Sequence, residues 1–415
     1  MILFDTDQRL QKSFLDGTAR SCTPEQTFER YRGMLGRFGI TRLANVTGLD
    51  HVGIPVFMAV RPNSRSLSVS QGKGAVPAAA RVSAMMESIE LWHAERIRSP
   101  LRHESYAALL REEAVADITR LPRARGATVR ADVPRDWILG YDLLQRRATW
   151  VPYEMVTMNT VGLLAGQSTF SNTSNGLASG NHPLEAVEHG LCEVIERDAY
   201  ALWMAGGVGR ALTTKLIDDS IQEASLRKLL DAFASAGIEV AMFELTSELG
   251  VPAYAAAIVE RGERARWRRL GVDWGWGCHP SPVIALSRAL TEAAQARLTA
   301  IAGSRDDNPP QVYAEYQRSQ AGASAPGSVF SGPGRRTFRP NDSAVQTASF
   351  DGDLLEMLGR LDRAGVSQVI VVDLTRSDVG IPVTKVIVPG LEGPPGAPDY
   401  VPGPRARAVS EEVVS

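Results

Sequence analysis

Cysteine is scarce in this chain: Cys22, Cys192 and Cys278 are the only thiols in 415 residues. Three thiols cannot make a disulfide framework, so an ordinary buried core must hold the fold. An excess of one charge is missing too. Lys and Arg number 45 against 47 Asp and Glu, a formal net charge of −2, which gives no argument for nucleic acid or an anionic membrane. No apolar run approaches the roughly 20 residues that span a bilayer. The opening segment, MILFDTDQRLQKS, has the pattern of neither a signal peptide nor a transit peptide. A P-loop is also lacking, because the Gly-Lys-Gly at Gly72–Gly74 does not continue with the Walker spacing. These absences lead us to expect a cytoplasmic protein without membrane or nucleic-acid partners.

What the sequence does contain is a helical motif in three copies. The stretch Ser171–Trp203, SNTSNGLASGNHPLEAVEHGLCEVIERDAYALW, opens polar and Gly-rich and then turns helical. Asn181 is the expected N-cap, with Pro183 in the first turn, where its missing N–H costs nothing. Leu184, Val187, Leu191, Val194 and Ile195 form a stripe for burial. Glu185, Glu193, Glu196 and Arg197 occupy another face, and the like charges of Glu193 and Glu196 repel. One reading is a solvated acidic face. The other is a hard-cation site, with the polar lead-in offering backbone N–H groups to an anion.

Gln71–Arg98 repeats the arrangement with Pro77, Glu87 and Glu90, and Gly275–Arg297 repeats it with Pro282, Glu292 and Gln295. Each proline falls ten residues before Glu87, Glu193 or Glu292, and Ala84, Gly190 and Ala289 share a small position suited to close packing. The agreement favours the cation site and points to a repeated architecture. A second pattern also recurs. Helical stretches end at Gly39, Gly237 and Gly365, β-rich runs follow to Thr47, Thr246 and Thr375, and second strands begin near Pro55, Pro252 and Pro382. The expected fold class is α+β: a single domain of repeated helix–β-hairpin units with the Glu-bearing helices around a common centre.

The rest divides simply. Residues 1–16 form an N-terminal segment, 17–390 the domain and 391–415 an extended Pro/Gly-rich tail. Within the domain, 303–350 reads as a long loop or lid. Glu104–Ile118 is an amphipathic helix pattern, and Trp137–Thr160 a hairpin with Trp137 and Trp150 as core anchors. Cys192 is expected to be buried. Cys278 and His279 are adjacent in a turn and so poorly placed for a catalytic dyad. His182 and His189 are readable either as bases or as packing residues.

The blocks QGKG with SAMMESIE, SNGLASGNHPLEAVEHGLCEVIERDA, and ALSRALTEAAQARLTAIAGSRDD resemble the signature blocks of the YcaO family, and the resemblance covers about residues 17–390. It implies an ATP- and Mg2+-dependent enzyme that phosphorylates a peptide backbone amide oxygen, which a nucleophile then displaces. It also implies an ATP site without a P-loop, ribosomally made peptide substrates, and azoline, thioamide or amidine products. By the same resemblance, Glu87, Glu90, Asn181, Glu185, Glu193 and Glu196 match Mg2+/ATP ligands, while Arg197 and Arg20 match phosphate contacts. Of these, Glu193, Glu196 and Arg197 carry the catalytic role. A further nucleotide arginine is assigned to Arg288, with Arg297 and Arg305 as rivals. The lysine that the family often has before Arg20 is not evident: Asp16 stands there, and Lys12 is nearby. The C-terminus lacks an alternating Pro-x-Pro ending. The block GITRLANVTGLDHVGIPVFMAVRP looks more like members that work with a TfuA-type partner. The resemblance therefore favours a thioamide product, a precursor-peptide substrate and a TfuA-like partner, and it allows a homodimer. A cyclodehydratase, an amidine-forming cyclase and a non-catalytic ATP-binding subunit are the alternatives.

Overall fold

The computed structural model describes the whole chain except residues 16, 162–167, 262–269, 306, 308–328, 342–344 and 415. Most of the expected loop or lid at 303–350 therefore lies outside the described residues. Its described part places Phe330 and Phe338 in the core.

The chain opens with a two-residue hairpin, Ile2–Leu3 against Thr6–Asp7. Helix α1 (Pro24–Tyr31) starts at a capping box between Thr23 and Gln26. A 3-10 turn then ends at Gly39, whose φ of 72° suits a residue without Cβ. Strands β1 (Arg42–Asn45), β2 (Val56–Val60) and β3 (Val69–Lys73) form an antiparallel sheet, and α2 (Pro77–Ala94) packs on it.

Next come β4 (Leu101–Ser105), β5 (Pro134–Asp142), β6 (Arg147–Pro152), β7 (Leu177–Ser179) and α3 (Pro183–Ala205). Helix α4 (Ala224–Ser235) leads into β8 (Ile238–Glu244), β9 (Ala253–Glu260) and β10 (Asp273–Cys278), a second three-stranded antiparallel sheet covered by α5 (Pro282–Ala302). Helix α6 (Phe350–Arg363) leads into β11 (Ile370–Asp373) and β12 (Val383–Ile387). These strands join the third sheet, in the order β4-β5-β11-β12-β7 with β6 on β5. Two of the three strand-and-helix assemblies are thus continuous in sequence. The third combines β7 and α3 with strands from nearly 200 residues later.

Contact between strand and helix is close because the strands present glycine. A Cβ on Gly72 would sit 2.0 Å from the Ala84 backbone N, and one on Gly277 would sit 2.0 Å from the Ala285 carbonyl. On the α3 side the glycine belongs to the helix: a Cβ on Gly190 would lie 2.7 Å from the Gly176 carbonyl. Helix α3 buries Leu184, Val187, Leu191 and Ile195 completely, each worth about 1.5–3 kcal/mol. Cys192 is buried there as well, its Sγ 3.9 Å from Met357 Sδ.

The structure corrects three local expectations. Glu104–Ile118 is not one helix: Leu101–Ser105 pairs with β5, leaving only Tyr106–Leu109 helical. Strand pairing in a large sheet outweighs a weak amphipathic pattern. The C-terminal stretch is not extended throughout, because α7 (Pro404–Val414) closes the chain against α3. Arg405 forms a bidentate pair with buried Asp198 at 2.9 Å, and Glu392 accepts the Gly403 and Ala406 amides. The N-cap of α3 is His182, not Asn181: His182 Nδ1 accepts the Leu184 amide at 3.2 Å.

Candidate active site

Pro77, Pro183 and Pro282 each open one of the helices α2, α3 and α5. A locked φ and a missing N–H suit proline to that place. One face of each helix lines a common cavity of about 690 Å3. Helix α2 contributes Glu87 and Glu90, α3 contributes Glu185, His189, Glu193, Glu196 and Arg197, and α5 contributes Arg288 and Glu292. Arg20, Lys73, Gln71, Asn181, Asp273 and Arg305 add to the polar lining.

The expected ligands Glu87, Glu90, Asn181, Glu185, Glu193, Glu196, Arg197, Arg20 and Arg288 all line this cavity. Of the two rival arginines, Arg305 lines it and Arg297 does not. Arg297 is buried elsewhere, 2.8 Å from Asp50 and 2.7 Å from Glu260. Lys12 is also absent from the lining; it is buried in an ion pair with Asp353.

Local bonds hold the carboxylates in place. Glu185 accepts from Arg20 at 3.3 Å and from the Ser21 amide and hydroxyl at 3.1 and 2.6 Å, fastening the N-terminal segment to α3. Asn181 bonds Thr27 on α1 at 3.1 Å. Glu90 accepts both the amide and the hydroxyl of Ser179, at 2.8 and 2.7 Å. Glu193 accepts the Gly176 amide at 3.3 Å, and Arg197 lies 3.4 Å from Glu196. Lys73 and Glu292 form an ion pair across the cavity wall. Lys73 is not among the expected site residues, although its Gly-Lys-Gly turn and the alignment of Glu292 with Glu193 mark both positions.

Negative charge is under-compensated here. Burial pushes Glu87 up to about 7 and Glu90 up to about 8. Glu193 and Glu196 rise for the same reason, with Arg197 opposing. Burial works against the charge on Arg197, but Glu196, Glu292 and Glu193 outweigh it and raise its pKa. Lys385, fully buried with Nζ 2.6 Å from the Thr173 carbonyl, is pushed down to about 8 by burial, with Glu193 opposing.

His189 is held neutral by burial and by Arg288, whose Nη2 lies 3.1 Å from His189 Nε2. His279 Nδ1 accepts the Ser281 amide, and its Nε2 lies 3.6 Å from Glu188. Cys278 is buried in the core with no access to the cavity.

A family model described as YcaO cyclodehydratase, ATP- and Mg2+-binding, matches residues 71–392. The chain belongs to the YcaO family. It is 38% identical over 379 residues to an uncharacterised protein in the tfuA 3' region of Rhizobium leguminosarum bv. trifolii, covering 90% of this chain and 88% of that one. A solved YcaO from Methanopyrus kandleri, bound with AMPPCP and Mg2+, is 25% identical with a TM-score of 0.71, covering 92% of this chain and 94% of that chain. A heterocyclase solved with substrate and cofactor shares the fold at a TM-score of 0.73 and 21% identity; the match covers 93% of this chain and about half, 54%, of the heterocyclase.

ATP and Mg2+ are thus the cofactors of this YcaO protein, and the donor set fits them. Hard carboxylate and amide oxygens suit Mg2+, and arginine forks suit phosphate. Among the described residues, the buried Arg288 Nε and Gln71 Nε2 in the lining have no hydrogen-bond partner, so donors remain for a ligand. Again among the described residues, no three His, Cys, Asp or Glu groups converge tightly enough to cage an ion by themselves. Mg2+ needs only one or two carboxylates when phosphate and water oxygens fill its shell.

Proposed function

We propose that this YcaO protein activates a backbone amide of a ribosomally made peptide by ATP-dependent O-phosphorylation, with a thioamide as the favoured product. The observation that carries the reading is the convergence of three Glu-bearing helices and Arg197 on one cavity with more buried carboxylate than cation. In this reading Glu87, Glu90, Glu185, Glu193 and Glu196 hold Mg2+, with Arg20, Asn181, Arg197 and Arg288 against the nucleotide. Mg2+ supplies charge neutralisation at the phosphates.

A backbone amide is a poor electrophile because resonance stabilises it. Its oxygen attacks the γ-phosphorus, the bond to the β-phosphate oxygen breaks and ADP departs. A nucleophile then adds to the amide carbon, and phosphate leaves with the former amide oxygen. Phosphoryl transfer depends mainly on alignment and charge compensation. Arg197 sits among Glu196, Glu193 and Glu292, where it would face the transferred group.

The tfuA-region relative points to a TfuA-like protein as partner, and the resemblance to TfuA-associated members implies sulfide as nucleophile. The heterocyclase with the same fold keeps azoline formation as the second reading. The test is the intact mass of a short peptide encoded beside the gene, incubated with Mg-ATP and sulfide, with and without the TfuA-like protein. Exchange of one oxygen for sulfur supports thioamidation. Loss of water means cyclisation to an azoline or amidine, and an unchanged peptide under all conditions points to a non-catalytic subunit.

A further inference from the structure

Strand β10 reads Asp-Trp-Gly-Trp-Gly-Cys. Its glycines face α5: a Cβ on Gly275 would lie 2.1 Å from the Ala289 carbonyl, and one on Gly277 would meet Ala285. Strand alternation therefore turns Trp274 and Trp276 to the opposite side. Their cross-strand partners on β9 are the small Ala257 and Ala255. The two rings stack with centroids 5.5 Å apart and planes 5° apart. Tyr200 of α3 stacks on Trp276 at 3.6 Å, and Trp203 meets Trp274 edge-on at 5.7 Å.

This aromatic stack adjoins the site already described. Glu193, Arg197 and Tyr200 recur at helical spacing on one face of α3, so the stack begins one turn beyond Arg197. Trp276 is almost wholly buried, whereas Trp274 is half-buried and lines the same cavity as Arg197 and Glu292. Arg20 and Asn181 mark the other end of α3, and Glu185 lies about 18 Å from Arg197 along the helix axis at 1.5 Å per residue. A nucleotide whose phosphates lie among these cations leaves the ground beyond Arg197 to the molecule that accepts the phosphoryl group.

We propose that Trp274, backed by Trp276 and Tyr200, is a subsite for an apolar or aromatic side chain of the peptide substrate, close in sequence to the amide being modified. This inference rests on the reading that the cavity activates a peptide amide. Trp274 is a specificity residue, with the main chain of the peptide held toward Arg197.

The test uses the full chain with AMPPCP and Mg2+ bound, in wild-type, W274A and W274F forms. The probes are N-acetyl-Phe-Gly-amide and N-acetyl-Ser-Gly-amide, and binding is followed by calorimetry. Wild type is expected to prefer the Phe probe by about 3- to 10-fold, the scale of one aromatic pair. W274A should lose the preference, W274F should keep most of it, and AMPPCP affinity should stay equal in all three. Equal affinity for the two probes in wild type, or a preference that survives in W274A, overturns the proposal. Weaker AMPPCP binding in W274A also overturns it, because the indole would then be stacking on adenine. Failure of wild type to bind AMPPCP with Mg2+ would instead overturn the nucleotide reading on which the proposal stands.

Discussion

Arg288 and Arg297 belong to one helix, nine residues apart, and do opposite work. Nine residues are two and a half turns, so the two side chains leave opposite faces of α5. Arg297 is saturated: Asp50 and Glu260 bind its guanidinium in a dry core, and their charges raise its pKa although burial works the other way. Arg288 lines the cavity, its guanidinium lies 3.1 Å from neutral His189, and its buried Nε has no partner among the described residues. The same contrast separates Glu87 and Glu90, which burial pushes toward protonation, from Glu95, which Arg61 holds at 2.6 Å and below the usual carboxylate range despite burial. Arg297 and Glu95 are matched within the scaffold, whereas Arg288 keeps a donor open to the cavity.

Substitutions on the cavity side should have the largest effect on chemistry. E193Q and E90Q should abolish turnover, and R197A should reduce it by about 10^3-fold or more, on the scale of arginines facing a transferred phosphoryl group. Circular dichroism and melting temperature should show the fold intact. Full activity in E193Q would remove the metal assignment.

Substitutions on the scaffold side should act the other way. R297A removes the guanidinium that pairs buried Asp50 and Glu260 and should cost about 3–5 kcal/mol in denaturant unfolding, with nucleotide affinity per folded molecule retained. R288A should leave the unfolding midpoint nearly unchanged and weaken AMPPCP binding. R405A, which uncovers buried Asp198 at the C-terminal helix, should destabilise on the same scale as R297A.

Much of this division was legible in the sequence. Pro77, Pro183 and Pro282 located the helix starts because proline fixes its own backbone, and the ten-residue interval to Glu87, Glu193 and Glu292 is a helical phase that tertiary contacts do not alter. The same phase could have settled the third arginine. Arg288 is one turn before Glu292 and shares its face, whereas Arg297 lies five residues beyond it. What could not be read depended on distant partners. Asn181 failed as the cap because its amide is used by Thr27, 154 residues away. The C-terminal helix forms against Asp198, which no local pattern reveals. Strand β4 exists because β5 pairs with it.

A smaller effect should come from Glu188, outside the cavity lining. Burial, with Asp353 adding to it, raises Glu188 from 4.5 to about 8, and its Oε2 has no partner among the described residues. The folded protein keeps this proton where the unfolded chain has lost it, so stability should fall as pH rises from about 4.5 to about 8. E188Q should flatten that slope and gain at least about 1 kcal/mol at pH 8, measured by urea unfolding across the range. The smallest effect belongs to the surface. Arg130 and Asp132 are both mostly exposed, and R130A should leave the unfolding midpoint indistinguishable from that of wild type.

The proposed Mg2+–nucleotide site rests on the buried carboxylates of α2 and α3. The most direct measurement is calorimetric titration of AMPPCP into wild type and E193Q, with and without Mg2+. The account predicts one tight site in wild type that weakens sharply when Mg2+ is withheld, and a loss of that Mg2+ dependence in E193Q. Binding of equal strength in all four conditions would contradict it.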